Sequence, residues 1–199
     1  VTGVQTCALP ICTLIAELGG RGVPTVKPWD MKTLDDKLSQ ALAAKSAMLA
    51  MDIDASGLPF LRGQEPPAGA KDVEQLSEIA AACHESGVPF VLKGVMTPQG
   101  AEKALKAGAD GIVVSNHGGR VLDGVPATAS VLPRIVDAVG DDLDVLVDGG
   151  LRTGLDVFRA LALGAKACLM CRPFVVAVFG GGQQGATDYL GQIARELAD

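Results

Sequence analysis

What most constrains the fold of this chain is an alternation: short runs rich in β-branched residues, each followed by a stretch with helical spacing and separated from it by turn residues. Six such units can be read. A strand near Pro24 to Val26 precedes a helix from about Asp30 to Lys45. Ala47 to Asp54 precedes Asp72 to Ser86, across a Gly- and Pro-rich loop from Gly57 to Gly69. Pro89 to Val95 is followed by Pro98 to Ala107, and Gly111 to Asn116 by Ser130 to Val139. Asp144 to Val147 leads into Gly154 to Leu163, and Ala167 to Met170 into roughly Gly185 to Leu197. Strands that alternate with helices predict a parallel sheet covered by helices.

Helix ends are signalled locally. Thr97 can cap a helix with Pro98 at its first position, and Thr153 with Asp156 reads as a capping box. Gly108 and Gly164 stand where a helix must stop before the next strand. Two architectures satisfy sequential βα units, and the positions of chemically active side chains separate them. Lys93, His117, Asp148 and Arg172 fall at or just past the C-terminal ends of four consecutive strands. A (β/α)8 barrel builds its site on that face from several strand ends, whereas a doubly wound sheet concentrates ligand contacts at one switch point. The expected fold is therefore α/β, an incomplete (β/α)8 TIM barrel of about six units, strands 3 to 8.

Composition sets outer limits. With 199 residues, 48% hydrophobic and 20% charged, the chain suits one globular domain with a sizeable core. A net charge of -6 argues against nucleic acid or an anionic membrane surface as partner. No apolar run reaches the roughly 18 to 20 residues of a membrane span. The first eleven residues, Val1 to Ile11, resemble the translation of a sequencing adapter. Residues 1–12 are accordingly set aside as a non-native extension, residues 13–199 are taken as the domain, and a preceding part is expected to be missing. Setting that segment aside leaves Cys83, Cys168 and Cys171 without disulfide or metal spacing, so no metal and a cytoplasmic location are expected.

The chemistry concentrates in Ser115-Asn116-His117-Gly118-Gly119-Arg120. An imidazole takes up a proton near neutral pH, and a guanidinium three residues on offers a two-pronged donor for a carboxylate. A base and a carboxylate clamp suit oxidation of a small hydroxy acid. Asp148-Gly149-Gly150 with Arg152 opens a helix at Thr153, where free backbone N–H groups and a positive dipole end would hold phosphate. Arg172 adds a second cation there. His84, in a helix near a turn, reads as an ordinary polar residue.

Together, Val91-Leu92-Lys93-Gly94-Val95, Ser115 to Arg120, Val125-Pro126-Ala127-Thr128, Asp148 to Val157 and Arg172-Pro173 resemble the C-terminal half of FMN-dependent α-hydroxy acid oxidases and dehydrogenases. That family includes glycolate oxidase, lactate oxidase and mandelate dehydrogenase. The resemblance implies an FMN cofactor and oxidation of a small 2-hydroxy acid to the 2-oxo acid, with His117 as base and Arg120 on the substrate carboxylate. It implies that Lys93 stabilises reduced flavin, that Ser115, Asp148, Gly149, Gly150, Arg152, Cys171 and Arg172 bind the cofactor, and that Asp54 orients the protonated His117. Arg62 would be a second carboxylate ligand, and the full-length protein would be a homo-oligomer. Two departures stand out: Cys171 replaces the glycine that usually precedes the arginine, and Pro24-Thr25-Val26-Lys27-Pro28 occupies the strand that commonly carries Gln and Tyr toward flavin. Alternatives are an FMN-dependent isomerase of the type 2 isopentenyl-diphosphate kind, or an inactive truncated fragment.

Overall fold

The structure is a computed structural model that describes residues 9–61 and 63–199. Six parallel strands form one sheet: β1 (Thr25–Val26), β2 (Leu49–Asp52), β3 (Phe90–Val95), β4 (Gly111–Val114), β5 (Asp144–Asp148) and β6 (Ala167–Leu169). Their spatial order follows the chain, β1-β2-β3-β4-β5-β6, with every pairing parallel. A doubly wound sheet reverses order at its switch point, and no reversal occurs here. The fold is a partial TIM barrel, as the strand-end chemistry implies.

Among the described residues seven α-helices accompany the strands: α1 (Leu9–Glu17), α2 (Met31–Ala43), α3 (Val73–Glu85), α4 (Pro98–Lys106), α5 (Thr128–Val139), α6 (Gly154–Ala162) and α7 (Arg172–Ala198). The local signals hold. Thr97 accepts from the Gly100 amide with Pro98 behind it, and Thr153 and Asp156 form a reciprocal capping box. Gly108 and Gly164 have φ of 81° and 98°, the left-handed turn that lets a helix stop and the chain re-enter the sheet.

Strand periodicity sorts the side chains into two layers. Val26, Leu49, Met51, Phe90, Leu92, Ile112, Val145 and Val147 point outward and pack with the helices in the main core. Ala50, Val91 and Val113 point the other way and form a smaller cluster with Met48, Leu146 and Leu169. Each large aliphatic side chain buried this way contributes about 1.5–3 kcal/mol. Deep in the outer layer, burial pushes the Cys83 thiol up to about 12.

Four differences from the sequence reading have physical causes. β2 stops at Asp52 because Ile53–Gly57 winds into a 3-10 turn. The last helix starts at Arg172, not near Gly185: Pro173 sits in its first turn, and the helix runs on to Ala198 with one non-helical residue inside, Gly182 (φ 59°, ψ -144°). α1 straddles the boundary drawn at residue 12. Cys12 is disulfide-bonded, although that reading leaves no disulfide spacing, while Cys83, Cys168 and Cys171 are free. Among the described residues no helix is long and apolar enough to cross a membrane.

Candidate active site

Strand register places the site. Asp52 pairs with Lys93 on adjacent strands, Val113 pairs with Leu146, and the period of two sends Asp52, Lys93 and Asp148 to the inward face at the C-terminal strand ends. Lys27, one residue past β1, comes to the same place. A chain of alternating charge results: Lys27 Nζ lies 2.5 Å from Asp52 Oδ2, and Lys93 Nζ lies 3.3 Å from Asp52 Oδ1 and 3.5 Å from Asp148 Oδ2. Lys27 and Asp52 are buried, so each charge depends on its neighbours for compensation.

His117 is buried directly above this row. It opens a 3-10 turn, His117–Gly119, whose three residues all have positive φ: 54°, 67° and 78°. Asn116 sets the turn, its Oδ1 accepting from the Gly118 amide at 2.9 Å while its Nδ2 donates to the Pro126 carbonyl at 3.2 Å. The ring Nδ1 faces both oxygens of Asp54, at 2.8 and 2.9 Å. A carboxylate can only accept there, which makes Nδ1 the protonated nitrogen and leaves Nε2 for a ligand. Nε2 is 3.9 Å from Asp52 Oδ2, beyond hydrogen-bond length.

Asp54 reaches His117 because β3 makes room. The β3–β4 register slips between Lys93 and Val95, and the residue in the slip is Gly94, with φ of 104°. A Cβ at Gly94 would lie 2.4 Å from Asp54 Cγ, so no other residue type leaves the carboxylate its path.

The remaining expected residues divide. Ser115 is buried and serves the frame: its Oγ accepts from Lys93 Nζ and from the His117 amide, both at 3.2 Å. Arg120 is exposed, with Nε donating to the His117 carbonyl at 3.2 Å. Arg172 lies against the same turn, its Nη2 3.0 Å from where a Gly118 Cβ would be. Gly149 and Gly150 have φ of 93° and 82°, and nothing stands within 4 Å of a Cβ on Gly150, so the backbone there is open to a ligand.

The helix start expected to offer free amides does not. Arg152 and Thr153 both donate to Asp156 Oδ2 at 3.0 Å, and Gly154 donates to Glu196 Oε2 at 2.7 Å. The first turn of α6 is thus satisfied from within the protein, and its amides are not free for an anion. Cys171 is exposed at the start of α7 and makes no side-chain cap. Arg62 lies outside the described residues.

Lys27, Asp52, Asn116 and Thr128, which donates to the Asp148 carbonyl at 2.6 Å, were not singled out from sequence. The alternation of β1 and β2 was the available signal, since it places Lys27 and Asp52 on the face of Lys93. Asp52, Asp54 and His117 bring one donor atom each within 4.8 Å of one another, a spacing a metal could use. The ammonium groups of Lys27 and Lys93 already stand as the cations of Asp52, which disfavours a further cation.

Known proteins with this arrangement share sequence as well as shape. A family model described as FMN-dependent dehydrogenase matches residues 67–199. An L-lactate dehydrogenase of Pseudomonas syringae pv. syringae (strain B728a) is 50% identical over 133 residues, 67% of this chain and 33% of that protein. One from Azorhizobium caulinodans is 56% identical over 109 residues, 55% of this chain and 29% of that protein. The chain thus matches about a third of the length of these relatives. Among solved structures, a mandelate oxidase variant with 2-hydroxy-phenylacetamide superposes with a TM-score of 0.82 at 34% identity, covering 98% of this chain and 61% of that one. A variant with a monooxide FMN adduct gives 0.78 at 36%, covering 92% and 59%. With that model matched over two thirds of the sequence, the chain belongs to the FMN-dependent dehydrogenase family.

Proposed function

We propose that the protein containing this chain oxidises a small 2-hydroxy acid to the 2-oxo acid with FMN. The observation that carries this reading is the buried His117, with Nδ1 fixed by Asp54 and Nε2 left toward the strand-end face. His117 takes the substrate hydroxyl proton at Nε2, and Asp54 stabilises the resulting imidazolium. Arg120, tethered through Nε, keeps its terminal nitrogens for the substrate carboxylate, which holds the α-carbon near the base. As the proton leaves, the α C–H bond breaks with its electron pair and the carbonyl forms. FMN, when bound, supplies the acceptor for that pair.

The residues present fit that cofactor. Asp52 Oδ1 and Asp148 Oδ1 are buried without hydrogen-bond donors, Lys93 brings a cation between them, and Gly150 leaves its backbone open to a ligand. Lys93 would meet the N1/C2=O edge of the ring, while Gly149, Gly150, Arg152 and Arg172 would hold the phosphate. Lactate and mandelate are the substrate types that the relatives' names suggest.

The test uses the full-length protein. Bound flavin should bleach anaerobically with lactate, glycolate or mandelate, and His117→Gln should retain flavin while bleaching at least about 100-fold more slowly. Flavin that binds but is bleached equally fast in the variant would remove His117 from the reaction.

A further inference from the structure

Asp52 is a carboxylate with no access to solvent, and its two oxygens are treated differently. Oδ2 accepts from Lys27 Nζ, whereas Oδ1 has no hydrogen bond. Lys93 Nζ lies 3.3 Å from Oδ1, near enough for an ion pair but out of line for a hydrogen bond, while it donates to Ser115 Oγ at 3.2 Å. A buried acceptor aimed into a site without a donor calls for a donor from the ligand.

We propose that Asp52 Oδ1 accepts a hydrogen bond from the N3–H of the flavin ring, and that Lys27 is the counterion that lets a carboxylate stand there; this rests on the FMN reading above. Oxidised isoalloxazine carries a single N–H, at N3, and the adjacent carbonyl C2=O separates it from N1. Lys93 is the cation for the N1/C2=O edge. An acceptor 3.3 Å from Lys93 Nζ therefore addresses the next group along that edge, which is N3–H. The charges agree with this assignment. A lone buried carboxylate beside the ring would have no compensation, but Lys27 and Lys93 flank it on both sides. Lys27, just past β1, and Asp52, the last residue of β2, thus act as one ionic pair at the strand-end face. The pair positions the cofactor, whereas His117 and Arg120 act on substrate.

The prediction is chemically narrow, because 3-methyl-FMN has lost the N3–H and little else. Full-length protein stripped of flavin is titrated with FMN and with 3-methyl-FMN by fluorescence. The wild type should prefer FMN by at least about tenfold. The Lys27→Met/Asp52→Leu variant removes both charges together and keeps similar volume, which avoids stranding a buried ion, and its preference should fall below about twofold. FMN labelled with nitrogen-15 at N3 supplies a reading that steric relief cannot imitate. Its N3–H proton resonance should sit downfield in the wild type and move upfield in the paired variant. A variant that retains the wild-type preference and the downfield resonance overturns the inference while leaving the FMN reading intact. Wild-type protein that binds no FMN overturns both.

Discussion

At the scale of single residues, the catalytic arrangement depends as much on a missing side chain as on those present. Gly94 stands where a Cβ would meet Asp54 Cγ at 2.4 Å, and its φ of 104° is one that L residues rarely adopt. Gly94→Ala should push Asp54 off His117 without touching either residue chemically. A displacement of this size is expected to lower kcat by about 10- to 100-fold with little change in KM, and steady-state kinetics on the holoenzyme checks it. An unchanged kcat would show that Asp54 does not need its path through the bulge. That His117, Lys93 and Arg120 lie at strand ends is legible from the short motifs that carry them, and the contact of Asp54 with His117 Nδ1 agrees with the partnership that the resemblance implies. Lys27 and Asp52 were not legible, since 25 positions separate them and only strand register makes them partners. Arg120 shows a subtler gap: its position in the motif identified it, but the tether from Nε to the His117 carbonyl is visible only in three dimensions.

At the scale of elements, capping tells the clearest story. Thr97 and Thr153 were read correctly because a cap involves residues three apart. The same locality misled at α6, where Gly154 sends its amide to Glu196, 42 residues away. Hydrogen bonds from Arg152 and Thr153 hold the Asp156 carboxyl below the usual carboxylate range, and those from Gln192 and Gly154 do the same for Glu196. The sign follows directly. A carboxylate whose folded pKa lies below its unfolded value stabilises the fold above the unfolded pKa, and that contribution disappears as pH falls through the folded value. Urea midpoints of the full-length protein, followed from neutral pH down past the ordinary carboxylate range, should therefore drop less steeply in the Asp156→Asn/Glu196→Gln variant than in the wild type. Parallel curves would mean that these caps carry no linkage. α7 begins at Arg172, ahead of the start expected near Gly185, and departs from helical geometry inside at Gly182.

For the whole molecule, barrel geometry was legible because chemistry recurred at successive strand ends, and the strand order bears that out. Among the described residues the sheet has six strands, with β1 and β6 each paired on one side, and the chain spans about 60% of the solved structures it resembles. Large apolar side chains lie uncovered on α6 and the first turns of α7, with Phe158 57%, Val176 72% and Phe179 87% exposed. Such a face, next to a strand with one open edge, favours association. A polypeptide of these 199 residues should sediment as a mixture of oligomers and bind the dye ANS, and Val176→Glu/Phe179→Glu should reduce both. A single monomeric boundary with no dye binding would show that the face is compatible with water as it stands.

The residue proposed as the base is also a non-glycine residue held at φ of 54°, a conformation that costs of order 1 kcal/mol or more relative to glycine. Activity and stability are set against each other at one position. Comparison of His117→Gly with His117→Ala separates the two, because both lose the ring and only glycine relaxes the turn. His117→Gly should unfold about 1 kcal/mol later than His117→Ala in urea. The space it leaves beside Asp54 has the dimensions of the lost side chain, so free imidazole added to His117→Gly should restore part of the turnover.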